Sequence, residues 1–390
     1  MPASNFWAMK HLSRCTHPKR SSLPIFTITA SVPLPPSSNA KDRAMLSKLF
    51  FLFTVLLSNQ LRAEDEFAPE PLKAIGSWSM LSQFKDYEKP FWTEQLPKLS
   101  EGRIKVRLNA FNEIGLKGSE VLRLMKLGMT DFGTTILSYI SEQDPRAEAV
   151  DLAGLTTSAE MEHRVVNSYS PVLKQYFEQK HGIKMLAMWP YSAQLLMCNE
   201  PIKNLEGLKG KKVRVSMRTT SDLIEAYGAV TLSVPFDQVY QKMKDKQLDC
   251  LITSALAAHT ARFYQVATHI YNLPLGWSVV MLGVNQASWA QIDIQDQKII
   301  EAGINRLAED LWQVADKQTA LGLACNTGKT CSLAVQGSMT LINPTSGDEA
   351  RLAKTVRQVV LRRWAERCGK DCVAEWNNSI GKILNITLQP

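Results

Sequence analysis

Residues 120–135 read Glu-Val-Leu-Arg-Leu-Met-Lys-Leu-Gly-Met-Thr-Asp-Phe-Gly-Thr-Thr, a helical pattern that passes into a strand pattern. Apolar residues recur at helical spacing as far as Met125, Gly128 ends the helix, and the run that begins at Asp131 is typical of a strand. A second stretch, residues 238–253, reads Gln-Val-Tyr-Gln-Lys-Met-Lys-Asp-Lys-Gln-Leu-Asp-Cys-Leu-Ile-Thr and aligns with the first without a gap. The chain is therefore predicted to contain two equivalent α/β domains, each with one helix–turn–strand unit.

Identical residues at aligned positions support this interpretation. The identical pairs are Val121/Val239, Met125/Met243, Lys126/Lys244, Asp131/Asp249 and Thr135/Thr253. The alternative is that any two amphipathic helix-to-strand units look alike. If the domains are equivalent, Thr135 and Thr253 occupy matching strand ends, where open parallel sheets bind ligands. Both are then predicted to hydrogen-bond a ligand from opposite lobes.

Predicted strands alternate with predicted helices around these units. The predicted strands are 104–108, 131–137, 184–188, 213–215 and 248–253. The predicted helices are 88–96, 119–127, 160–177, 221–227 and 236–244. This alternation is typical of an α/β fold with largely parallel sheets.

A long helix is predicted late in the chain, because apolar residues recur at helical spacing from Ile300 to about Leu321. A helix of this length can span both halves of a two-domain molecule. A loop bracketed by two cysteines, a short strand near Leu341 and a basic amphipathic helix as far as Trp364 are predicted to follow.

A secretory signal peptide is predicted at residues 45–63. A basic residue opens this segment, a mostly apolar run follows at 49–57, and Ala63 precedes an acidic triplet. The alternative, a transmembrane anchor, requires roughly 20 consecutive apolar residues, and this run is shorter. The functional protein is therefore expected to begin near Glu64 and to be periplasmic, whereas residues 1–44 are interpreted as disordered or as translated upstream sequence.

The net charge argues against nucleic-acid binding once the predicted leader is set aside. The whole chain carries a formal charge of +8, and residues 1–63 contain eight basic side chains and one acidic side chain. About +1 therefore remains for the rest of the chain. The high isoelectric point is thus no sign of a nucleic-acid partner. The remaining length is sufficient for two domains or one large domain.

Six cysteines follow the predicted leader, and an even number in an exported chain suggests disulfides, although six cysteines permit fifteen connectivities. Two pairs would close short local loops and a third pair remains: Cys325 with Cys331, Cys368 with Cys372, and Cys198 with Cys250. Two buried thiols are an equal alternative for the last pair. A zinc site is less favoured, because no Cys-x-x-Cys occurs and the histidines are scattered. No metal or cofactor is expected.

No familiar catalytic or nucleotide-binding motif occurs in the sequence. Gly-x-Gly-x-x-Gly, a phosphate-binding loop, His-Glu-x-x-His and Gly-x-Ser-x-Gly are all missing. A binding protein is therefore favoured over an enzyme. An exported enzyme acting on organic acids stays an alternative, with Asp86, His163 and His259 as its candidate acid–base residues.

Arg214 is the candidate for binding a carboxylate. Val213 and Val215 face one side of a predicted strand, so Arg214 faces the other side. A helix capped by Thr220 or Ser221 is predicted to follow, and its N-terminal amides would add positive potential. The planar guanidinium matches the two oxygens of a carboxylate and stays charged when desolvated. A surface or ion-paired arginine is the alternative.

Four motifs in fixed order carry a family resemblance. They are Ile-Lys-Asn-Leu-Glu-Gly-Leu-Lys-Gly-Lys-Lys-Val-Arg-Val at 202–215, Tyr-Gly-Ala at 227–229, Val-Pro-Phe-Asp-Gln-Val-Tyr-Gln-Lys-Met at 234–243, and Leu-Asp-Cys at 248–250. With them the sequence resembles the dicarboxylate-binding (DctP-like) substrate-binding proteins of TRAP (tripartite ATP-independent periplasmic) transporters. The resemblance implies a two-lobed periplasmic-binding-protein-like α/β fold that closes on a small organic acid. It also implies delivery to an ion-gradient-driven permease with a small and a large membrane subunit.

The resemblance assigns roles to individual residues. Arg214 corresponds to the arginine that forms a salt bridge to the carboxylate, Phe236 to the aromatic residue against the ligand, and Thr253 to a position that is often a polar amide. Gln194 stands where a second arginine is frequent, which disfavours a diacid of four carbons or more. Further residues in segments that line the cleft of relatives are Trp78, Trp189, Tyr191, Arg218 and Trp277. They predict an aromatic or hydrophobic monocarboxylate, with core packing as the alternative for each tryptophan.

The predicted lobes follow from the same resemblance. Lobe I is expected to comprise residues 64–190 plus 279–318, and lobe II residues 191–278 plus 319–390. A receptor for another kind of importer, or for a sensor, would share this fold and is the first alternative function.

Overall fold

The computed structural model describes residues 70–333 and 335–389, so the predicted leader at 45–63 and the segment before it lie outside the described residues. The strands are β1 (Leu72–Gly76), β2 (Val106–Ala110), β3 (Phe132–Ile136), β4 (Ile183–Trp189), β5 (Gln194–Cys198), β6 (Lys212–Val215), β7 (Val230–Ser233), β8 (Cys250–Ser254), β9 (His269–Tyr271), β10 (Val280–Asn285) and β11 (Thr340–Ile342). The main helical segments are Gln83–Glu88, Phe91–Gln95, Leu96–Leu99, Gly118–Lys126, Ala159–His181, Arg218–Ala226, Val239–Lys244, Ala255–Thr260, Gln286–Gln291, Ile294–Asn326, Ser346–Thr355, Val356–Val360, Leu361–Cys368, Lys370–Trp376, Asn377–Gly381 and Lys382–Leu384. None of the described helices is both long and apolar enough to cross a bilayer.

The strands form two sheets, in the orders β2-β1-β3-β10-β4 and β11-β9-β5-β8-β6-β7. We refer to the first sheet and its helices as lobe I and to the second sheet and its helices as lobe II. Helices lie between successive strands in both lobes, as the alternating pattern predicts. The predicted two-lobed α/β fold is therefore confirmed.

The prediction of largely parallel sheets is correct only in part, because five pairings are parallel and four are antiparallel, so that both sheets are mixed. Parallel pairing joins β1 to β2 and β3, and β6 to β7 and β8. In contrast, β10 is antiparallel to β3 and β4, and β5 is antiparallel to β8 and β9. The chain crosses between the sheets from β4 to β5 and again from β9 to β10. β5 and β10, which enter from the other lobe, run against both of their neighbours, whereas β11 is parallel to β9. Hydrophobic periodicity does not record strand direction.

The two copies of the helix–turn–strand unit have the same local structure. The Asp131 carboxylate accepts a hydrogen bond from the backbone amide of Lys73 at 2.7 Å. Its counterpart Asp249 accepts the equivalent bond from Lys212, also at 2.7 Å. The turn before each aspartate is left-handed, with φ of 66° in the first copy and 56° in the second, although the second copy has Lys246 in place of glycine. The internal match therefore reflects one structural unit used twice.

The helix Ile294–Asn326 contacts both lobes, as predicted. In its middle, the Trp312 indole N–H donates to the carbonyl of Met188 in β4, at 3.0 Å. Near its end, a Cβ added at Gly322 would lie 2.2 Å from the backbone nitrogen of Leu256 in lobe II. The helix backbone therefore lies directly against lobe II, a distance that glycine alone permits.

The C-terminal helices also contact both lobes. The Trp364 indole donates to the carbonyl of Pro145, in the segment that follows β3, at 2.9 Å. The guanidinium of Arg363 pairs with Asp222, on a helix of lobe II, at 3.3 Å. The assignment of residues 319–390 to lobe II stays a prediction.

The cysteines form the three pairs that the sequence suggested. The disulfides join Cys198 to Cys250, Cys325 to Cys331, and Cys368 to Cys372. Cys198 and Cys250 lie opposite each other on the antiparallel strands β5 and β8, with Cα atoms 4.0 Å apart. This cross-strand position decides between a disulfide and two buried thiols, an alternative that spacing in the sequence leaves open.

Candidate functional site

A cavity lies between the two sheets, at the carboxyl ends of parallel strands from both lobes. It encloses about 380 Å³ of space not filled by protein atoms, including its opening to solvent. Open α/β sheets bind ligands at this end of their strands. The lining residues are Trp78, Leu81, Ile136, Tyr139, Tyr191, Gln194, Arg214, Ser216, Phe236, Thr253, Ser254, Ala257 and Ser278.

Arg214 alone among these lining residues carries a charge, and its side chain is buried, with 4% exposed. Its Nε donates to the carbonyl of Val234 at 2.9 Å, and Nη1 donates to the carbonyl of Ile252 at 3.1 Å. No carboxylate in the described part of the chain pairs with it. Burial lowers the pKa of the guanidinium to about 10, so the group is still a cation at neutral pH. A buried cation without a partner is costly until an anion joins it.

Aromatic rings from both lobes meet across the cavity. The ring centroids of Trp78 in lobe I and Phe236 in lobe II are 5.7 Å apart. Within its own lobe, Trp78 packs edge-on against Phe111 at 4.7 Å. Phe236 packs in the same manner against Phe263 at 5.5 Å. Each ring is therefore held in place by a second ring, and the pair offers flat apolar surfaces to a ligand.

Neutral polar side chains complete the lining. The structure brings the predicted residues Gln194, Thr253 and Tyr191 to the cavity beside Arg214. The Gln194 amide donates to the carbonyl of Ser192 at 2.9 Å. With no second cation in the lining, a second carboxylate on a ligand would be buried without a partner.

The predicted site residues that lie outside the lining are Thr135, Trp189, Arg218 and Trp277. The Thr135 hydroxyl is buried and donates to the carbonyl of Gly118 at 2.7 Å, so it joins β3 to the neighbouring helix. The side chain of Arg218 is half exposed, and its Nε lies 3.9 Å from Asp222. Neither residue lines the cavity, and a role for them in binding stays a prediction.

The two tryptophans outside the lining belong to the core. Trp189 is fully buried at the end of β4. Trp277 is buried where the chain crosses from lobe II to lobe I, and its indole N–H donates to the Thr156 hydroxyl at 2.9 Å. A tryptophan in a segment that crosses between the lobes can point either into the cleft or into the core. Its position in the sequence does not predict which of the two occurs.

Sequence reasoning missed several lining residues, and the internal repeat held a signal for them. Extended past its last aligned pair, the repeat matches Ile136 with Ser254 and Tyr139 with Ala257. All four of these residues line the cavity. The remaining missed residues are Leu81, Ser216 and Ser278.

A buried carboxylate holds one crossing segment in shape. Asp151 accepts hydrogen bonds from the backbone amides of Trp277 at 2.9 Å and Val279 at 3.2 Å. Between them, Ser278 adopts a left-handed conformation, with φ of 51°, and lines the cavity. A serine rarely takes this conformation unaided, so Asp151 positions part of the cavity wall.

A second buried carboxylate changes the expected role of the helix that follows β6. This helix begins at Arg218, before the predicted caps Thr220 and Ser221. The amide and the hydroxyl of Thr219 both donate to the Glu148 carboxylate, at 2.8 Å and 2.9 Å. The helix N-terminus is therefore occupied by Glu148 and does not contribute its amides to the cavity, in contrast to the expectation from sequence.

Glu148 predicts a dependence of stability on pH. Burial raises the pKa of its carboxyl to about 7, so between pH 4.5 and 7 the folded protein keeps a proton that the unfolded chain loses. The free energy of unfolding is therefore expected to fall by roughly 2 kcal/mol between pH 5 and pH 8 through this group. In Glu148→Gln, thermal unfolding across this range should show a smaller loss of stability. The exposed Glu94→Gln is the control and should keep the wild-type dependence, whereas equal slopes for all three proteins would contradict the assignment.

The candidate residues for an enzyme do not converge at the cavity. Asp86 and His163 are exposed, and His163 stacks on Trp312 with ring centroids 4.3 Å apart. His259 is buried outside the lining. These three side chains therefore cannot act together on a ligand held between the lobes.

One group of metal-ligating side chains in the described chain lies outside the cavity. Donor atoms of His259, Cys325 and Cys331 lie within 4.8 Å of one another. The two sulfurs form a disulfide, and the His259 Nε2 donates to the carbonyl of Val335 at 2.7 Å. In this state the cluster does not offer the thiolates that zinc requires.

A family model for bacterial extracellular solute-binding proteins, family 7, matches residues 82–361. Among curated proteins, the sialic acid-binding periplasmic protein SiaP of Vibrio cholerae is 23% identical over 232 residues. That alignment covers 58% of this chain and 71% of SiaP.

Solved structures resemble the chain over nearly their whole length. An extracytoplasmic solute receptor of Bordetella pertussis that binds pyroglutamic acid gives a TM-score of 0.70 at 17% identity, covering 80% of this chain and 99% of that chain. A TRAP periplasmic solute binding protein of Desulfovibrio salexigens with bound orotic acid gives a TM-score of 0.69 at 14% identity, with the same coverage. At these identities the likeness establishes the two-lobed fold.

Proposed function

The chain belongs to family 7 of the bacterial extracellular solute-binding proteins, and from this premise we propose that it captures an aromatic monocarboxylate between its lobes. The family assignment confirms the resemblance to the solute receptors of TRAP transporters. SiaP binds sialic acid, and the two solved receptors bind pyroglutamic and orotic acid, so organic acids are the ligands of these relatives.

The buried, unpaired guanidinium of Arg214 is the observation that carries the proposal. Its Nε and Nη1 donate hydrogen bonds to two neutral carbonyl groups, so no negative charge compensates the charge of the guanidinium. A ligand carboxylate would supply both the counter-charge and acceptors for the remaining N–H groups. Water is excluded on closure, which strengthens this pair.

The rest of the lining supports the aromatic and monobasic character of the ligand. Trp78 and Phe236 contribute apolar ring surface from opposite lobes, and a flat ligand ring packed against this pair would bury apolar surface. Gln194 is neutral where many TRAP receptors have a second arginine. One carboxylate can therefore be paired in this cavity, and a second cannot.

A thermal-shift screen tests the proposal, with orotate and benzoate as aromatic monocarboxylates, malonate and succinate as diacids, and benzamide as a neutral control. Ligand at about 100 times its dissociation constant stabilises the folded form by about 2.7 kcal/mol. At least one aromatic acid is therefore expected to raise the melting temperature by about 5 °C, with smaller shifts for the diacids and none for benzamide. No shift with any acid, or the largest shift with a diacid, would count against the proposal.

Export and a permease partner complete the proposed function. The predicted leader at residues 45–63 and the extracellular character of the family support a receptor outside the cytoplasm, periplasmic in a cell with two membranes. The TRAP relatives support delivery to a small and a large membrane subunit. Genes for such subunits beside this one would discriminate this partner from an ATP-driven importer or a sensor. In this role the bound acid is released unchanged.

A further inference from the structure

Tyr139 lines the cavity from lobe I, whereas Arg214 lines it from lobe II. It lies in the turn Leu137–Ile140, directly after β3. Its ring lies on the backbone of Gly118, where an added Cβ would be 2.4 Å from Cδ2 of the ring. Any other residue at position 118 would displace the ring, so the position of the phenol depends on that glycine.

The hydrogen bonds of Tyr139 leave its hydroxyl hydrogen without an acceptor. The Trp78 indole N–H lies 3.2 Å from the Tyr139 oxygen, and an indole can only donate. The phenol oxygen is therefore the acceptor in this bond, and its own hydrogen is directed elsewhere. Within the described chain it has no further hydrogen-bond partner. Tyr139 is partly buried, and its hydroxyl can give this hydrogen to water or to an acceptor on a bound ligand.

The charge state of the phenol suits a donor. Burial raises the pKa of Tyr139 above its usual value, so the hydroxyl keeps its hydrogen at neutral pH. Arg214 is the charged side chain among the lining residues. Its N–H groups and the Tyr139 O–H group are both donors that suit a ligand oxygen. An anion between them would accept N–H groups from lobe II and an O–H group from lobe I.

Resting on the function proposed above, we propose that Tyr139 is the second donor to the ligand carboxylate and selects ligands with one carboxylate. The indole of Trp78 orients the phenol, and the phenol then bonds the oxygen that Arg214 does not fully satisfy. Because the two donors belong to different lobes, the carboxylate itself links the lobes in the closed form. Because Tyr139 is a neutral donor and not a second cation, the second carboxylate of a bound diacid would have no positive charge to pair with.

The test compares Tyr139→Phe with wild type by calorimetry and binding kinetics. The probe is orotate, or benzoate if wild type binds benzoate more tightly. The substitution removes the hydroxyl and keeps the ring. Affinity is expected to fall by about 10-fold to 100-fold, the range for a hydrogen bond to a charged group. The lower affinity should come mainly from a higher dissociation rate constant. The association rate constant should change little, because this hydrogen bond forms only in the closed complex.

Tyr240→Phe is the matched control, because the Tyr240 hydroxyl bonds Gln265 outside the cavity. It should bind the probe as wild type does, and both variants should melt within about 2 °C of wild type. If Tyr139→Phe binds within threefold of wild type while Arg214→Ala has lost binding, the Tyr139 proposal is overturned and the proposed function stands. If wild type binds neither acid, or if Arg214→Ala binds as well as wild type, the proposed function fails instead.

Discussion

Arg214→Ala is expected to weaken the binding of orotate or benzoate by about 100-fold or more. The guanidinium is the charged group of the lining, and a carboxylate left in the cavity without it would be buried and unpaired. Removing one partner of a buried, hydrogen-bonded charge pair costs about 2–5 kcal/mol, and each 1.4 kcal/mol is a factor of ten in affinity. Isothermal titration calorimetry of the purified protein measures the change directly.

Arg103→Ala is the matched control for this substitution. It removes the same kind of side chain, but Arg103 is half exposed, pairs with Asp296 at 3.0 Å and lies outside the cavity. Its affinity for the acid should stay within about threefold of wild type. The unliganded Arg214→Ala protein should lose no more than about 1 kcal/mol of stability, because the removed charge has no partner in the folded chain. Retained affinity in Arg214→Ala would refute the assignment of the carboxylate site.

Gly322→Ala is expected to reduce the free energy of unfolding by about 3 kcal/mol. The added Cβ would lie 2.2 Å from the nitrogen of Leu256 and 2.4 Å from the carbonyl carbon of Ala255. Both are backbone atoms, which cannot rotate away, so the bridging helix and the short helix of lobe II would have to separate. The Asn326 amide, which donates to the carbonyl of Ala255 at 2.7 Å, would lose its partner as they do so.

Thermal and denaturant unfolding measure this effect, and the melting temperature should fall by about 5–10 °C. The control is Gly207→Ala, where the nearest atom to an added Cβ, in Ile202, lies 3.8 Å away. That change should be neutral or slightly stabilising, because it reduces the freedom of the unfolded chain. Ser254 and Ala257 flank the two residues that contact Gly322, and both line the cavity. Gly322→Ala should therefore also weaken ligand binding. Equal stabilities of the two alanine variants would show that the helices are not in such close contact.

Much of the fold could be predicted because its signals are local. The repeat at 120–135 and 238–253 was visible as sequence, and the hydrogen bonds of Asp131 and Asp249 show why its aspartates recur. Each aspartate precedes the strand of its own unit and accepts a hydrogen bond from the start of the neighbouring parallel strand, β1 in lobe I and β6 in lobe II. The length of the bridging helix was similarly visible, because helical periodicity persists along one continuous segment.

Part of the candidate site could be predicted as well, and Thr135 and Thr253 show where prediction ends. Both occupy the same place in the repeat, yet only Thr253 lines the cavity, since the hydroxyl of Thr135 is used by the carbonyl of Gly118. Arg214 and Phe236 were found because they lie in recognisable motifs. Tyr139 was missed although the extended repeat aligns it with Ala257, because its hydrogen bond comes from an indole 61 residues away.

The sequence by itself determined the α/β class and the doubled unit, since each depends on residues that are neighbours along the chain, and it indicated Arg214 as the candidate for binding a carboxylate. Tertiary structure alone decided the mixed sheets, the occupation of a helix N-terminus by Glu148 and the rings that meet across the cavity. These features depend on which segments approach each other after the chain has crossed between lobes. Such contacts are set by packing and burial over long separations, which no local pattern of residues encodes.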